Sequence, residues 1–194
     1  PSNSVQNILK CISSAGYDDV KVVYTGIADG NVVLDREEKE SGVFLLDIGA
    51  ALTEMSIFFD GALCDMEILM SGAEDFKGNF RSSRAFEDIV SKLLAKIENF
   101  RATGNNLRSV VVTGGIIFTD GVIEYLEERI SCPVKMGVSR ELRGEVSGLD
   151  SVRLCTAIGL AKYDVKRVEN KLQTPDNLAE RVSSAVIDIF NNYF

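Results

Sequence analysis

The sequence predicts an α/β fold in which a mixed sheet is flanked by helices. A run at 43–48 that is apolar except at Asp47 is followed by two more strand-like runs joined by the tight turn Asp60-Gly61, a pattern that predicts an antiparallel hairpin meander. Beyond the meander, helical and strand-like periods alternate. Such alternation is typical of strands that pair beneath covering helices, so we expect a layered, mixed sheet.

The first part of the chain predicts two helices and a strand before the meander. Apolar residues recur at helical spacing between Val5 and Ile12, and this helix is expected to end at Gly16. A short strand is expected at 20–24. The charged run 35–40 is interpreted as a solvated segment that closes a second helix. The meander strands are expected at residues 43–48, 55–59 and 62–70.

The second part of the chain predicts alternating helices and strands. The strongest amphipathic pattern runs from Phe86 to Phe100 and predicts a long helix with one apolar face. Thr174-Pro175 is typical of an N-cap followed by a first-turn proline, and predicts a helix that runs to the last residue. Between them we expect a strand at 107–112, a helix at 121–130, a strand at 134–138 and a helix at 155–163. The predicted organisation is a domain at 1–165, a linker at 166–175 and an amphipathic helix at 176–194.

Composition excludes several classes of function. A net charge of -8 leaves no basic surface that could displace counterions from nucleic acid, so we expect no nucleic-acid partner. The chain has no histidine, which removes Ser-His and Cys-His catalysis and most zinc sites. The four cysteines are widely spaced, as in a reduced cytosolic protein, and no apolar run reaches the roughly 20 residues that span a bilayer. Any chemistry must rest on carboxylates, backbone amides and a bound metal.

A small-residue loop follows the first meander strand, from Asp47 to Glu54. Small residues let backbone amides approach a phosphate closely, and an aspartate at a strand end can hold Mg²⁺ through water. The alternative is a hairpin that merely contains a glycine. Either interpretation fits this loop taken by itself.

A second glycine loop, Thr113-Gly114-Gly115, ends a buried strand and leads into a helix. Such a turn at the carboxyl edge of a sheet is where α/β proteins bind ligands, and paired glycines leave a flat backbone shelf for a purine or ribose. The alternative is that these glycines only permit a tight turn. The order and spacing of the two loops favour the binding interpretation for both.

Together, D-x-G, a hairpin, a long helix and V-V-x-T-G-G resemble the second half of the actin, heat-shock chaperone and sugar-kinase superfamily. The resemblance is stronger to the FtsA family of bacterial cell-division proteins and covers about Ser4 to Tyr163. It implies an actin-like, ribonuclease H-like fold. The motifs that carry it are L-x-x-E-E-K-E-x-G-V before L-D-I-G at 34–49, T-G-G-x-x-x-x-x-G-V at 113–122, C-P-V-K-M-G-V at 132–138 and T-A-I-G-L-A-K-Y at 156–163.

The resemblance implies roles for individual residues in binding ATP and Mg²⁺. Glu74 and Lys77 are an E-x-x-K pair of the kind that touches ribose, although a solvated surface pair is the alternative. Asp47 is the implied metal residue. The residues implied to face phosphates are Asp47, Gly49, Ala50 and Thr53, and those implied to face adenosine are Gly114, Gly115 and Ile116.

The sequence also departs from the FtsA pattern. The family loop reads D-I-G-G-G-T-T-D, whereas two glycines are replaced here by Ala50 and Ala51, whose Cβ atoms restrict φ. The segment 70–84 is too short for the outer subdomain that the family inserts there, so we expect that subdomain to be reduced or absent. The chain begins on Pro1 without methionine, which indicates a piece of a longer protein. Because half a cleft cannot align an attacking water, we expect no ATP hydrolysis by this piece.

The resemblance implies an actin-like cell-division scaffold, cytoplasmic and peripheral on the inner face of the membrane. With a missing first half it would bind ATP, self-associate into filaments and contact an FtsZ-like tubulin homologue. The helix at 176–194 would meet the membrane surface, or alternatively fold back on the domain. A rival hypothesis is a pseudo-ATPase platform that grips a peptide, as in type IV pilus assembly of the PilM kind. A sugar or acetate kinase is a weaker rival, since no sugar-binding carboxylate constellation is present.

Overall fold

The computed structural model describes residues 2–17, 20–139 and 152–163. Residues 25–163 form one compact unit, and the described residues before Thr25 lie outside it. The predicted linker and C-terminal helix lie outside the described residues. In the described part of the chain, no helix has the length and apolar character needed to cross a bilayer.

Outside the compact unit, the first predicted helix is confirmed as α1 (Ser2–Ser14). The predicted strand at 20–24 is wrong, because these residues have no regular secondary structure. A short apolar segment forms a strand only where a neighbouring strand exchanges backbone hydrogen bonds with it. Among the described residues, no strand pairs with 20–24.

The compact unit is built on the predicted mixed sheet. The three meander strands pair antiparallel, while β1 pairs in parallel with β4, and β4 with β5, giving the order β3-β2-β1-β4-β5. Asp60 and Gly61 both have positive φ, 51° and 75°, as the two-residue turn between β2 and β3 requires. The strands are β1 (Val43–Ile48), β2 (Thr53–Phe59), β3 (Ala62–Leu69), β4 (Ser109–Thr113) and β5 (Val134–Met136).

Helices cover both faces of this sheet. The long predicted helix is confirmed as α4 (Arg84–Ala102), which begins at the N-cap Ser83. Its buried residues, including Phe86 and Leu93, pack against alternate residues of β1 such as Phe44 and Leu46. The other helices of the compact unit are α2 (Thr25–Val33), α3 (Arg36–Ser41), α5 (Val122–Glu127) and α6 (Cys155–Ala161), with short 3-10 helices at Ala73–Phe76, Phe80–Ser82 and Gly115–Phe118.

The opposite face of the sheet carries the side chains that alternate with this core. Asp47 on β1 and Glu54 on β2 point to that face, where α2 packs on β1 and β2 and also pairs with α6. At the crossing of these helices, an added Cβ on Gly159 would collide with the backbone carbonyl of Ala28. The absence of a side chain at 159 therefore lets α6 lie directly on α2.

The charged run 35–40 was predicted to close a second helix, but it forms a helix of its own. Asp35 ends the preceding segment because its side chain accepts from the amide of Glu38, whose carboxylate in turn accepts from the amide of Asp35. Glu38 is buried rather than solvated, and its Oε1 lies 2.8 Å from Nζ of Lys135. This capping box separates α2 from α3.

The connection between β3 and α4 is short, as the sequence predicts. Residues 70–84 contain two 3-10 helices and no strand, so the outer subdomain expected of the family is absent from this position. Phe76 and Phe80 from these helices bury their rings against Phe86, with centroids 5.1 Å from it in both cases. The segment is thus tied to the core by aromatic packing.

Candidate functional site

The two glycine loops meet at the carboxyl edge of the parallel strands. Asp47 near the end of β1 lies beside Thr113 at the end of β4, so the loops that follow emerge next to each other. Gly114 has φ of 85°, and a Cβ there would collide with Oδ1 of Asp47 and with the carbonyl of Ile48. Only glycine allows this approach, which holds the second loop against the aspartate of the first.

A cluster of three carboxylates lies beneath these loops. Asp47 stands directly opposite Glu54 in the β1–β2 ladder, and Asp29 reaches the same place from α2. One oxygen of each residue lies within 4.8 Å of the others. Asp29 and Glu54 are buried, with 1% and 8% of their surface exposed. We refer to Asp29, Asp47 and Glu54 as the carboxylate cluster.

Hydroxyl groups satisfy only part of the cluster. Thr156 on α6 donates to Oδ1 of Asp29 at 2.8 Å, and Thr25 at the start of α2 donates to Oε1 of Glu54. Oδ2 of Asp29 is buried and accepts no hydrogen bond from the described residues, although the Cys155 thiol and the Asp47 carboxyl lie beside this carboxylate. An unpaired buried carboxylate oxygen is costly unless a proton or a cation is near it.

Burial raises the pKa of every member of the cluster. The pKa of Asp47 rises to about 7, from burial and then from the negative charge of Asp29. Burial raises the pKa of Glu54 to about 7, against the opposing effect of the Thr25 hydrogen bond. Burial also raises the pKa of Asp29 to about 6, although its bond from Thr156 opposes the shift. Next to them, burial and both aspartates raise the pKa of the Cys155 thiol to about 12, so this cysteine is an unreactive core residue.

Hydrogen bonds to its backbone carbonyls hold the tip of the first loop in place. The amide of Gly49 donates to the carbonyl of Leu52, while the carbonyls of Gly49 and Ala50 accept from the amides of Ala73 and Glu74, each at 2.8 Å. In the described part of the chain, the amides of Ala50 and Ala51 donate no hydrogen bond. Both residues have negative φ, since Asp60 is the one described non-glycine residue with positive φ. The loop therefore accommodates alanine and still leaves two amides for an anion.

A cavity of about 390 Å³ opens beside this loop. It lies between the loop tip, the 3-10 helix Ala73–Phe76 and the 3-10 helix that follows the second glycine loop. Its floor is apolar and its rim carries two charges, a combination common in sites for small organic ligands. The lining residues are Ala50, Ala73, Glu74, Phe76, Lys77, Gly78, Phe80, Ile116 and Thr119.

The structure brings four of the predicted site residues to this cavity: Ala50, Glu74, Lys77 and Ile116. Glu74 and Lys77 form an exposed ion pair at 3.1 Å on its rim, so both the ribose role and the surface-pair alternative stay predictions. Gly49 and Gly114 shape the loops without lining the cavity.

Two other predicted residues have different surroundings. The Thr53 hydroxyl is fully buried and donates to the carbonyl of Ser71 at 2.8 Å, which fastens the loop to the end of β3. Gly115 faces open space, with no atom within 4 Å of the position its Cβ would occupy. A role of either residue toward a nucleotide stays a prediction.

Sequence reasoning missed the carboxylate cluster. Glu54 is named there only as the last residue of the small-residue loop, and Asp29 is not named at all. The signal for Glu54 was present, because a residue seven positions after Asp47 across a short hairpin faces it. Asp29 gave no such signal, since its position depends on how α2 packs on the sheet.

Comparison with curated proteins gives matches to the cell division protein FtsA. The chain is 25% identical to FtsA of Neisseria meningitidis serogroup B over 229 residues, covering 91% of this chain and 55% of that protein. It is 24% identical to FtsA of Pseudomonas aeruginosa, covering 85% of this chain and 52% of that protein. The chain is FtsA-like. It spans about half the length of these relatives, and no protein-family model matches it.

The length of the match also bears on the outer subdomain. The match to the Neisseria protein extends over 229 residues, whereas this chain has 194, so the relative carries residues within the matched region that this chain lacks. The short connection at 70–84, which lacks the outer subdomain, is one place where such residues can be missing.

Solved structures with similar coordinates confirm the predicted actin-like fold. The PilM–PilN type IV pilus biogenesis complex matches with a TM-score of 0.63 and 18% identity, covering 81% of this chain and 56% of that chain. MreB5 of Spiroplasma citri bound to AMPPNP matches with a TM-score of 0.59 and 13% identity, covering 87% of this chain and 66% of that chain. At these identities the similarity establishes the fold alone.

Proposed function

We propose that this FtsA-like chain supplies one side of an ATP-binding cleft in an actin-like cell-division scaffold, and that a preceding half closes the cleft. The observation that carries the proposal is the cavity at which the first glycine loop and the segment after the second one converge. The similarity to FtsA and the AMPPNP held by MreB5 of Spiroplasma citri support it.

The residues around the cavity suit the parts of a nucleotide. The free amides of Ala50 and Ala51 would receive phosphate oxygens, because backbone N–H groups are aligned donors for anions. The apolar side chains of Phe76 and Ile116 would pack against the base. Glu74 and Lys77 would meet the ribose. Bound Mg²⁺ would neutralise phosphate charge near Asp47. Water activation requires groups from the missing half, so we propose that this piece alone does not hydrolyse ATP.

A charge placed on the loop tip tests this proposal. In the full-length protein, Ala50→Asp is expected to weaken binding of a fluorescent ATP analogue at least about tenfold, because a carboxylate beside the phosphates repels them. Ala62→Asp is the matched control, since Ala62 is also exposed but lies at the opposite end of the meander. Equal affinity in both variants would place ATP elsewhere or show that it does not bind.

We further propose that the whole protein self-associates into filaments, contacts an FtsZ-like tubulin homologue and reaches the membrane through residues 176–194. The apolar and aromatic residues of that segment at helical spacing support the membrane contact. Co-sedimentation with anionic lipid vesicles tests it, with the protein shortened after residue 175 as control. Equal sedimentation of both proteins would favour a helix that folds back on the domain.

A second candidate is a pseudo-ATPase platform that binds a peptide of a membrane partner, as proposed above for the PilM kind. The specific observation in its favour is the carboxylate cluster, whose negative charge near the phosphate loop disfavours an anionic ligand unless a cation is present. No detectable ATP binding by the full-length protein, together with capture of a short peptide, would favour this candidate.

A further inference from the structure

We propose that Asp29, Asp47 and Glu54 form a divalent-cation site that belongs to the protein itself and fills without nucleotide. The cation would be held directly by carboxylates from α2, β1 and β2. This differs from a cation that arrives with ATP and meets the protein through Asp47 alone.

The spacing of the three carboxylates fits a single cation. Oxygen ligands lie about 2.0–2.1 Å from Mg²⁺ and about 2.3–2.6 Å from Ca²⁺, so two oxygens of one site can be at most about 4.2 Å or about 5.2 Å apart, respectively. All three pairs in the cluster lie at 4.8 Å or less, which meets the limit for Ca²⁺, and a smaller ion such as Mg²⁺ or Mn²⁺ would draw the oxygens closer together. Carboxylate oxygens are also the ligands that Mg²⁺, Mn²⁺ and Ca²⁺ prefer, and histidine or thiolate ligands are absent from this set.

The unpaired oxygen of Asp29 is an independent sign of a ligand. This residue is 1% exposed, and its Oδ2 accepts no hydrogen bond from the described residues. Its other oxygen is already held by Thr156, while Thr25 holds one oxygen of Glu54. The two hydroxyls thus fix the two carboxylates and leave Oδ2 of Asp29 without a hydrogen bond.

The loops also fix the position of the central ligand. Gly114 presses on Oδ1 of Asp47 so closely that no side chain fits between them. Close approach of Gly159 to Ala28 similarly holds α2, which carries Asp29. The oxygens are therefore held in place by packing before any cation arrives, which favours binding.

The test uses full-length protein freed of nucleotide and metal, titrated with Mn²⁺ and followed by electron paramagnetic resonance. We expect one Mn²⁺ to bind per chain without nucleotide and Mg²⁺ to compete for it. Asp29→Asn and Glu54→Gln are each expected to weaken binding by roughly 10- to 100-fold or more, since outer-shell changes alone typically have effects of that size. Asp88→Asn on the exposed side of α4 is the control and should bind as the unaltered protein does.

Absence of Mn²⁺ binding without nucleotide, or binding that survives both substitutions, would overturn the proposal. In that case the cluster shares protons instead, and Asp29→Asn should raise the melting temperature in metal-free buffer. If Asp29→Asn does not fold, Glu54→Gln decides the question. The outcome is separate from the ATP proposal, because ATP can bind without this site and the site can fill without ATP.

Discussion

At the scale of single residues, the carboxylates near the glycine loops combine burial with negative charge. Asp29, Asp47 and Glu54 each have an oxygen within 4.8 Å of the others, and removal from water raises the pKa of each residue. Without a cation, the ionised cluster opposes folding, because the same groups are fully hydrated in the unfolded chain.

The raised pKa values predict how stability depends on pH in metal-free buffer. In the folded state the pKa values are about 6 for Asp29 and about 7 for Asp47 and Glu54, against ordinary values of 3.8, 3.8 and 4.5. A raised folded pKa means that the contribution to stability is complete below about pH 4 and is lost as pH rises through 6 to 7. Urea unfolding from pH 4 to 8 with a chelator should show a smaller loss for Asp29→Asn than for the unaltered chain, and an equal or larger loss would contradict this prediction.

Gly114 is the residue whose backbone this site needs most. Gly114→Ala should destabilise the protein by about 1–3 kcal/mol, because alanine must adopt a positive φ and its Cβ would meet Asp47. The adjacent Gly115→Ala is a matched control, since its φ is not positive and its Cβ would meet open space. Thermal unfolding of both variants measures the difference. Equal melting temperatures would show that the second loop can relax away from the aspartate.

Sequence reasoning succeeded for single residues where a local pattern fixed the conformation. The Asp60-Gly61 turn follows from the need for two residues with positive φ, and it lies where predicted. The proximity of Asp47 to the second glycine loop follows from parallel pairing of β1 with β4. The burial of Thr53 and its hydrogen bond to Ser71 depend on where β3 ends, and the sequence pattern does not predict that end to within one residue.

At the scale of elements, the crossing of α2 and α6 sets the position of Asp29. Gly159→Ala would normally gain up to about 1 kcal/mol in a helix. Here the added Cβ meets the backbone carbonyl of Ala28, which cannot rotate away, and overpacking of this kind costs about 1–3 kcal/mol. We therefore predict net destabilisation in thermal unfolding. Leu160→Ala on the exposed side of α6 should change stability less, and a stabilised Gly159→Ala would contradict the proposed crossing.

The elements that sequence predicted well are those whose apolar period is long or unbroken. Helix α4 has buried residues over several turns, and β1 is apolar except at Asp47 and covered on both faces. The predicted strand at 20–24 is wrong because a run of apolar residues forms a strand only when it has a partner strand. The prediction that the charged run closes α2 is wrong because the Asp35 side chain caps a new helix, α3, within that run.

At the scale of the whole molecule, the candidate site is assembled from distant parts of the sequence. Asp29, Asp47, Glu54 and Thr156 come from four elements, and only the pair across the β1–β2 hairpin could be inferred from local spacing. The cavity likewise needs the short connection at 70–84, whose 3-10 helix forms one wall. The fold class could therefore be predicted from the sequence. Of the site, the Asp47–Glu54 pair could be inferred, but the positions of Asp29 and Thr156 could not.

We propose that ATP lies where the two glycine loops converge, and hydrogen–deuterium exchange can show whether it does. Full-length protein would be compared with and without ATP and Mg²⁺. We expect slower exchange at residues 49–52, 73–78 and 114–119 when ATP is bound, because their amides and the cavity they surround would be covered. Binding of ATP with no protection of these segments, or with protection confined to other parts of the chain, would contradict it.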